Sequence, residues 1–407
     1  MASLKPRLLV CGGGYADIPQ IQAAKALGFY VITTGNREHD LGHKYSDEYY
    51  LEDFSDRQAM LQLAKRLKID AVCASCNDFA ALSAAYVAEH LNLPGHDSFE
   101  VAKIIHHKDL YRRFASANNI RSPFAAGFAD EASAVASLPQ FSFPLMIKPV
   151  DLTGGKGITK VFSEQQAIQA IERAFRLSRE RRVVVEEFVE GSRHGITTFV
   201  RDGKVVFHFC DDEYYGKNPY LVSAASAPGS VSQQTVQHLI ATIEKIAILL
   251  NLVSGLIHVQ YIVDSEDLPT VIEICRRPPG DLYTRFVKHA TGIDYPGYIV
   301  KACSGLDFSD LKSSPIKTYV TRHCIMSDRA GVISDVLFDK SIEHNVFDQF
   351  LWSKKGDVIH DELTQKLGIV FLRFDSIKEM IIKTKNLHEL IKVSIENLAI
   401  SNSDEKF

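Results

Sequence analysis

The sequence contains no apolar run near the roughly 20 residues that a bilayer-spanning helix requires, so no membrane-embedded segment is expected. It has no long basic run, and its formal net charge is −4. Proteins that bind nucleic acid by neutralising phosphates need clustered Lys and Arg, so the expected partners are small molecules. No secretory h-region precedes the first apolar stretch at residues 8–10, and the seven cysteines are scattered and odd in number. Together these point to a reduced, cytoplasmic protein. Cys73 and Cys76 form one CxxC without a second pair nearby; paired thiols of that spacing make metal sites mainly in twos, so these are read as ordinary packing beside a strand end. There is no GxxxxGK[ST] loop for phosphates, no legible Ser-His-Asp or Cys-His constellation, and no internal repeat or low-complexity tract.

What is present is the balance of a globular protein: 46% hydrophobic and 24% charged residues in a chain of 407, too long for one ordinary core. Residues 7–95 alternate short apolar runs (RLLVC, YVITTG, IDAVCAS) with helical patterns (IPQIQAAKALG, RQAMLQLAKRLK, FAALSAAYVAEHLN). That alternation predicts an open α/β domain with parallel strands and right-handed crossovers. Its first turn holds Gly12, Gly13 and Gly14, which permit a tight strand-to-helix turn whose N–H groups can face an anion. A dinucleotide fingerprint is not met, because the third glycine is missing and the second strand ends in VITTGNRE without an acid at its tip.

A helix-rich stretch follows and ends before Ser122-Pro123. The runs FPLMIKPV, TKVF and RRVVVEEFV read as strands and EQQAIQAIERAFRLSRE as a helix, giving a small α+β lobe at about residues 120–190. Strands and hairpins dominate after GITTFVRDGKVVFHF, with a helix at SQQTVQHLIATIEKIAILLN and two strands at GLIHVQYIVD and PTVIEICRR. From Pro315 the pattern gives short strands (IKTYVTRHCIM, GIVFLRF), a last helix near NLHELIKVSIENL and a polar, frayed tail.

Three segments carry chemistry. Lys148 stands at the end of an apolar strand and is followed by Thr153, Gly154, Gly155, Lys156 and Gly157. A strand lysine and a glycine loop of bare N–H donors can close over a polyphosphate; the same glycines also suit a plain hairpin turn. In VVVEEFVEG, Glu186 to Val189 can offer backbone groups to an adenine edge and carboxylates to its amino group or a ribose, although a surface strand with solvated acids fits as well. In the third segment, alternation puts His258 and Gln260 on one strand face, and Glu273, Cys275 and Arg277 on one face of the neighbouring strand, up to the bend at Pro278-Pro279-Gly280. Oxygen donors converging from two paired strands suit Mg²⁺, and Arg277 lies where a phosphoryl group or oxyanion needs compensating charge.

These segments, in this order and spacing, resemble the ATP-grasp superfamily over roughly residues 7–305. Within it the likeness is to carboxylate–amine and amino-acid ligases with a carbamoyl-phosphate-synthase-like nucleotide fold. The resemblance implies an α/β and α+β molecule: an N-terminal open parallel α/β domain (1–105), a small mobile nucleotide lobe with its preceding helix (106–190), a large lobe with the metal strands (191–310) and a C-terminal α+β extension (311–407). It implies ATP contacts from Lys108, Lys148, Thr153, Gly154, Gly155, Gly157, Glu186, Glu187, Val189 and Glu190. Gln260 and Glu273 would hold Mg²⁺, with Mn²⁺ as a substitute; Arg277 and Lys148 would be catalytic, and His258 and Cys275 would touch substrate or phosphate. Three departures stand out: Gln260 where most members have Glu, Cys275 where Asn is usual, and Arg193-His194 where a ribose-binding Glu is common, for which Glu190 is the substitute. The implied activity is ATP-dependent activation of a carboxylate as an acyl phosphate and its coupling to an amine, with an amino acid as one substrate and ADP and phosphate released. Activation of bicarbonate or formate is the competing enzymatic reading, and a catalytically decayed ATP-binding regulator the non-enzymatic one. A homodimer is expected from the resemblance alone.

Overall fold

In the computed structural model, which describes residues 5–152, 154–313, 315–316 and 318–396, the apolar run RLLVC forms the strand Arg7–Cys11, with alternate residues serving two cores. Leu9 packs with Ile32, Val72, Met60 and Val87, while Leu8 and Val10 pack with Ile21, Ala24 and Phe29. A strand apolar on both faces belongs inside a parallel sheet covered by helices on both sides. The sheet is indeed parallel, in the order Glu48–Leu51, Tyr30–Gly35, Arg7–Cys11, Ala71–Ala74. Two of its helices start where a side chain satisfies free N–H groups. Asp56 caps Arg57–Leu67, and Asn77 caps Asp78–Leu91 by accepting from Phe79 N.

Two antiparallel sheets follow in the same compact unit, which comprises residues 1–212 and 229–316. The smaller has the order Ala125–Phe128, Val183–Glu187, Leu145–Pro149, Thr159–Val161, and packs on the Ser163-capped helix Glu164–Leu177 through Leu145, Ile147, Ile171 and Ala174. In the larger, Pro269–Cys275, Gly255–Val263, Ser192–Arg201 and Lys204–Tyr215 are successive neighbours. Ile196, Val259 and Tyr261 bury one face of it against Leu239, Ile243 and Ile246 of the helix Gln233–Leu249.

The second unit comprises residues 213–228 and 317–407. Val222–Ala227, Tyr319–Ile325, Gly368–Phe374 and Val346–Leu351 are successive antiparallel neighbours, and Gly331–Phe338 lies between Val358–Ile359 and Ile391–Glu396. Its core includes Ala224, Ile325, Ile333, Leu372 and Met380. Residues 213–228 fall in this unit, apart from the chain around them.

Two local expectations are corrected. The last helix shrinks to Leu387–Leu390, and Ile391–Glu396 is a strand paired with Gly331–Phe338. Ile391, Val393 and Ile395 alternate at a period of two, and strand pairing overrides the weak helical pattern. Nor are all cysteines free: Cys73 forms a disulfide with Cys303, 230 residues away, while Cys11, Cys76, Cys210, Cys275 and Cys324 are free thiols. That pairing depends on the helix Tyr295–Cys303 packing by Val300 and Cys303 on the parallel sheet, which a CxxC spacing does not encode. No helix among the described residues is long and apolar enough to cross a membrane.

Candidate active site

The site grows from a buried charge cluster where the small sheet meets the helix Lys108–Ala117. Lys148 and Glu186 lie on adjacent antiparallel strands and are 8% and 1% exposed, so neither charge is tolerable unpaired. They form an ion pair. Glu186 Oε2 also accepts from Arg112 Nε at 3.0 Å and Nη2 at 2.8 Å, and Arg112 Nη2 donates to the Ile272 carbonyl at 2.6 Å. Burial pushes the Glu186 carboxyl up, but the charges of Arg112 and Lys148 outweigh it and hold the group at about 2. Burial, with Arg112 and Lys108 adding to it, pulls the Lys148 ammonium below the ordinary lysine value. Lys108 donates to the Leu152 carbonyl at 2.8 Å and reaches 3.9 Å from Glu273 Oε1. Arg112 was missed in the sequence, although it lies one helical turn from Lys108 and therefore on the same helix face.

Gln260 is paired with Glu273 and His258 with Cys275 across the two adjacent strands, so the four side chains share a face, as alternation required. Asp211 is opposite Gly195, which is itself opposite Gln260. This puts the buried Asp211 on that face too, where Tyr283 Oη donates to it. His258 is buried and makes an edge contact with Tyr283. Burial and the Arg277 charge lower its pKa to about 3, so the imidazole is neutral at neutral pH. Burial pushes the Cys275 thiol up to about 12, which leaves it protonated and unsuited to a hard cation. Gln260 and Glu273 are paired oxygen donors of this face, with Glu273 3.9 Å from Lys108, and no cluster of three or more His, Cys, Asp or Glu able to hold a metal occurs among the described residues. Such a donor set fits Mg²⁺ that draws its remaining oxygens from phosphates and water, not a closed protein cage. Cys275→Asn is expected to preserve substrate-dependent ADP release and to lower the Mg²⁺ concentration for half-maximal rate, since an amide oxygen is the harder donor. A large loss in that titration would give the thiol a role of its own.

Of the two adjacent arginines, Arg276 ties three separate groups: Nε donates to Asp97 at 2.7 Å, Nη1 to the Leu256 carbonyl and Nη2 to the Val253 carbonyl, both at 2.6 Å. Arg277 is held differently. Its Nε and Nη2 donate to the two oxygens of Asp78 at 3.0 and 2.9 Å, and Nη1 to the Pro278 carbonyl at 3.3 Å.

Among the remaining candidates, Glu187 is held by its own local contacts. Glu187 accepts from Ser142 N at 2.8 Å, and the N–H groups of Glu187 and Phe188 donate to the Phe124 and Pro144 carbonyls. Glu190 is exposed. Gly154, Gly155 and Gly157 all have φ between 66° and 75°, a left-handed run that only glycine adopts cheaply. Thr153 lies outside the described residues. His194 is opposite Tyr261 and stacks with it, on the sheet face away from Gln260. There it forms a Ser192–His194–Asp212 chain, with 2.6 Å to Ser192 Oγ and 2.7 Å to Asp212 Oδ1. This corrects the absence of such a constellation in the sequence, where a hairpin separates His194 from Asp212. Asp212 Oδ1 also accepts from Ser230 N, so the chain ties strand ends to the segment that leads into the helix Gln233–Leu249.

Residues 106–215 match the family described as phosphoribosylglycinamide synthetase, ATP-grasp (A) domain. Over 207 residues the chain is 24% identical to the carbamoyl phosphate synthase large chain, C-terminal section, of Aquifex aeolicus, covering 50% of this chain and 38% of that one. The chain spans 10% to 60% of the length of the curated relatives it matches. Its fold is similar to the L-amino acid ligase from Bacillus licheniformis, with TM-score 0.80, 20% identity, and 97% and 99% of the two chains covered. It is also similar to the dimeric biotin carboxylase domain of 2-oxoglutarate carboxylase from Hydrogenobacter thermophilus, solved with MgADP and bicarbonate, with TM-score 0.75, 16% identity, and 95% and 90% covered. With the strand lysine, the glycine loop and the paired Gln260–Glu273 strands arranged on it, the chain has the ATP-grasp fold, and its residues 106–215 match an ATP-grasp domain family.

Proposed function

We propose that this chain is an ADP-forming carboxylate–amine ligase that takes an amino acid as one of its substrates. The observation that carries the reading is the meeting of Lys108, Lys148 and Glu273 at one end of the buried Arg112–Glu186 pair. Three cations face two carboxylates there, a surplus of positive charge that suits a polyphosphate. On this reading the lobe of residues 106–190 receives the nucleotide, and Gln260 and Glu273 in 191–310 bind Mg²⁺. The metal's contribution when bound is Lewis-acid charge neutralisation on the transferring phosphoryl group.

A substrate carboxylate attacks the terminal phosphorus of ATP, Lys148 offsets the charge that builds on the phosphoryl oxygens, and ADP departs. Arg277 then holds the acyl phosphate while the amine attacks its carbonyl carbon and phosphate leaves. Positioning and fixed charge supply most of the rate in such a transfer. His258, buried in edge contact with Tyr283, forms a wall of the site.

The test is ADP release with Mg-ATP against a panel of amino acids, small carboxylates and bicarbonate, with mass spectrometry of the products. A product with the mass of two substrates minus water is the expected result. A carboxylated product would transfer the assignment to bicarbonate activation, and tight ATP binding without turnover would favour a regulator.

A further inference from the structure

We infer that Asp78, backed by His106, is a positioning residue for the acyl-phosphate chemistry: it fixes Arg277 so that one defined edge of the guanidinium faces the substrate oxyanion. The inference rests on the ligase reading of the site and adds a residue from outside the metal strands.

A guanidinium offers a side-on fork, formed by Nε–H and one Nη2–H, and an end-on fork, formed by one N–H from each Nη. Asp78 occupies the side-on fork with both carboxylate oxygens, at 3.0 and 2.9 Å, and the Pro278 carbonyl takes a bond from Nη1 at 3.3 Å. With the side-on fork taken, the second N–H groups of Nη1 and Nη2 are the donors by which Arg277 would meet a ligand. They match two oxygens of a carboxylate or phosphate.

Asp78 is itself held in place. It is the first residue of the helix Asp78–Leu91, where the helix dipole favours a carboxylate. His106 Nδ1 lies 2.7 Å from Asp78 Oδ1, and Arg276 N–H points at His106 Nε2 at 3.4 Å. Since Nε2 accepts, Nδ1 carries the proton and donates to Asp78. Asp78 and His106 are 6% and 7% exposed, so water does not compete for these bonds. Burial raises the Asp78 carboxyl, but Arg277 and His106 outweigh it and hold it well below the usual carboxylate range. Asp78 follows the parallel-sheet strand Ala71–Ala74 and Arg277 follows the strand Pro269–Cys275. The contact therefore makes the aim of the arginine depend on how these two parts of the unit dock.

The test compares wild type with Asp78→Asn, His106→Asn and His106→Phe in steady-state kinetics, and follows solvent exchange of the Arg277 Nε–H by ¹⁵N NMR. Asp78→Asn is expected to lower kcat by about 100-fold, the typical loss of one pre-set oxyanion contact, with KM for ATP unchanged because Lys108 and Lys148 are untouched. Arg277 Nε–H exchange should accelerate in the same variant. His106→Asn keeps a donor at the Nδ1 position and should retain more activity than His106→Phe. A wild-type kcat in Asp78→Asn, or unaltered Nε–H protection, would overturn the inference. If the wild type releases no ADP with any substrate, the ligase reading fails by itself, and the exchange measurement still decides whether Asp78 orders Arg277.

Discussion

Glu273→Ala is expected to reduce substrate-dependent ADP release by about 1,000-fold or more, equivalent to roughly 4 kcal/mol of transition-state stabilisation, while the fold stays intact. Glu273 supplies the only full negative charge of the Gln260–Glu273 pair, and its carboxylate lies 3.9 Å from Lys108 Nζ. On the two strands, removing it leaves the neutral Gln260 amide and a protonated Cys275 thiol, neither of which can replace an anionic oxygen toward Mg²⁺, while Asp211 on the same face is engaged by Tyr283. The side chain is 33% exposed, so truncation opens no cavity in the core. The measurement is initial rate against Mg²⁺ concentration, with thermal melting as the control for folding. Normal turnover at ordinary Mg²⁺ would remove Glu273 from the metal site.

The second large effect is on stability. Arg112→Leu should destabilise this part of the protein by about 3–5 kcal/mol, the usual consequence of removing one partner from a buried ion pair. Arg112 is 4% exposed and ties two elements at once, through the Glu186 carboxylate and the Ile272 carbonyl of the strand Pro269–Cys275. The pH dependence gives an independent measure. Glu186 is held at about 2, against 4.5 for an unburdened glutamate. The stabilisation tied to this depressed carboxyl is fully present above about pH 4.5 and is lost as pH falls toward 2. Its size is on the order of 3 kcal/mol, in line with the mutational figure. Urea unfolding of wild type and Arg112→Leu between pH 7 and pH 3 should show the two curves converging at acid pH. Parallel curves would mean that Arg112 does not set the charge state of Glu186.

Much of the site was legible because its signals are local. Alternation put His258, Gln260, Glu273 and Cys275 on one face, and the strand register bears this out. Lys148 followed from its place at the end of an apolar run, and the helix at Gln233–Leu249 from its pattern. What could not be read was what each charge would meet. Glu186 read as a nucleotide contact, yet its carboxylate is enclosed by Lys148 and Arg112, one of which lies 74 residues away. Asp78 and Arg277 are 199 residues apart, and Cys73 and Cys303 are 230 apart.

The sequence by itself determined the parallel and antiparallel sheets, the shared face of His258, Gln260, Glu273 and Cys275, and the glycine loop, because apolar periodicity and the conformational freedom of glycine act over a few residues. Only the tertiary structure decided which partners hold Arg276 and Arg277, which carboxylates are spent on internal ion pairs, and which sheet face His194 joins. Those outcomes depend on burial, which forces every charged group to find a partner wherever the docked chain supplies one.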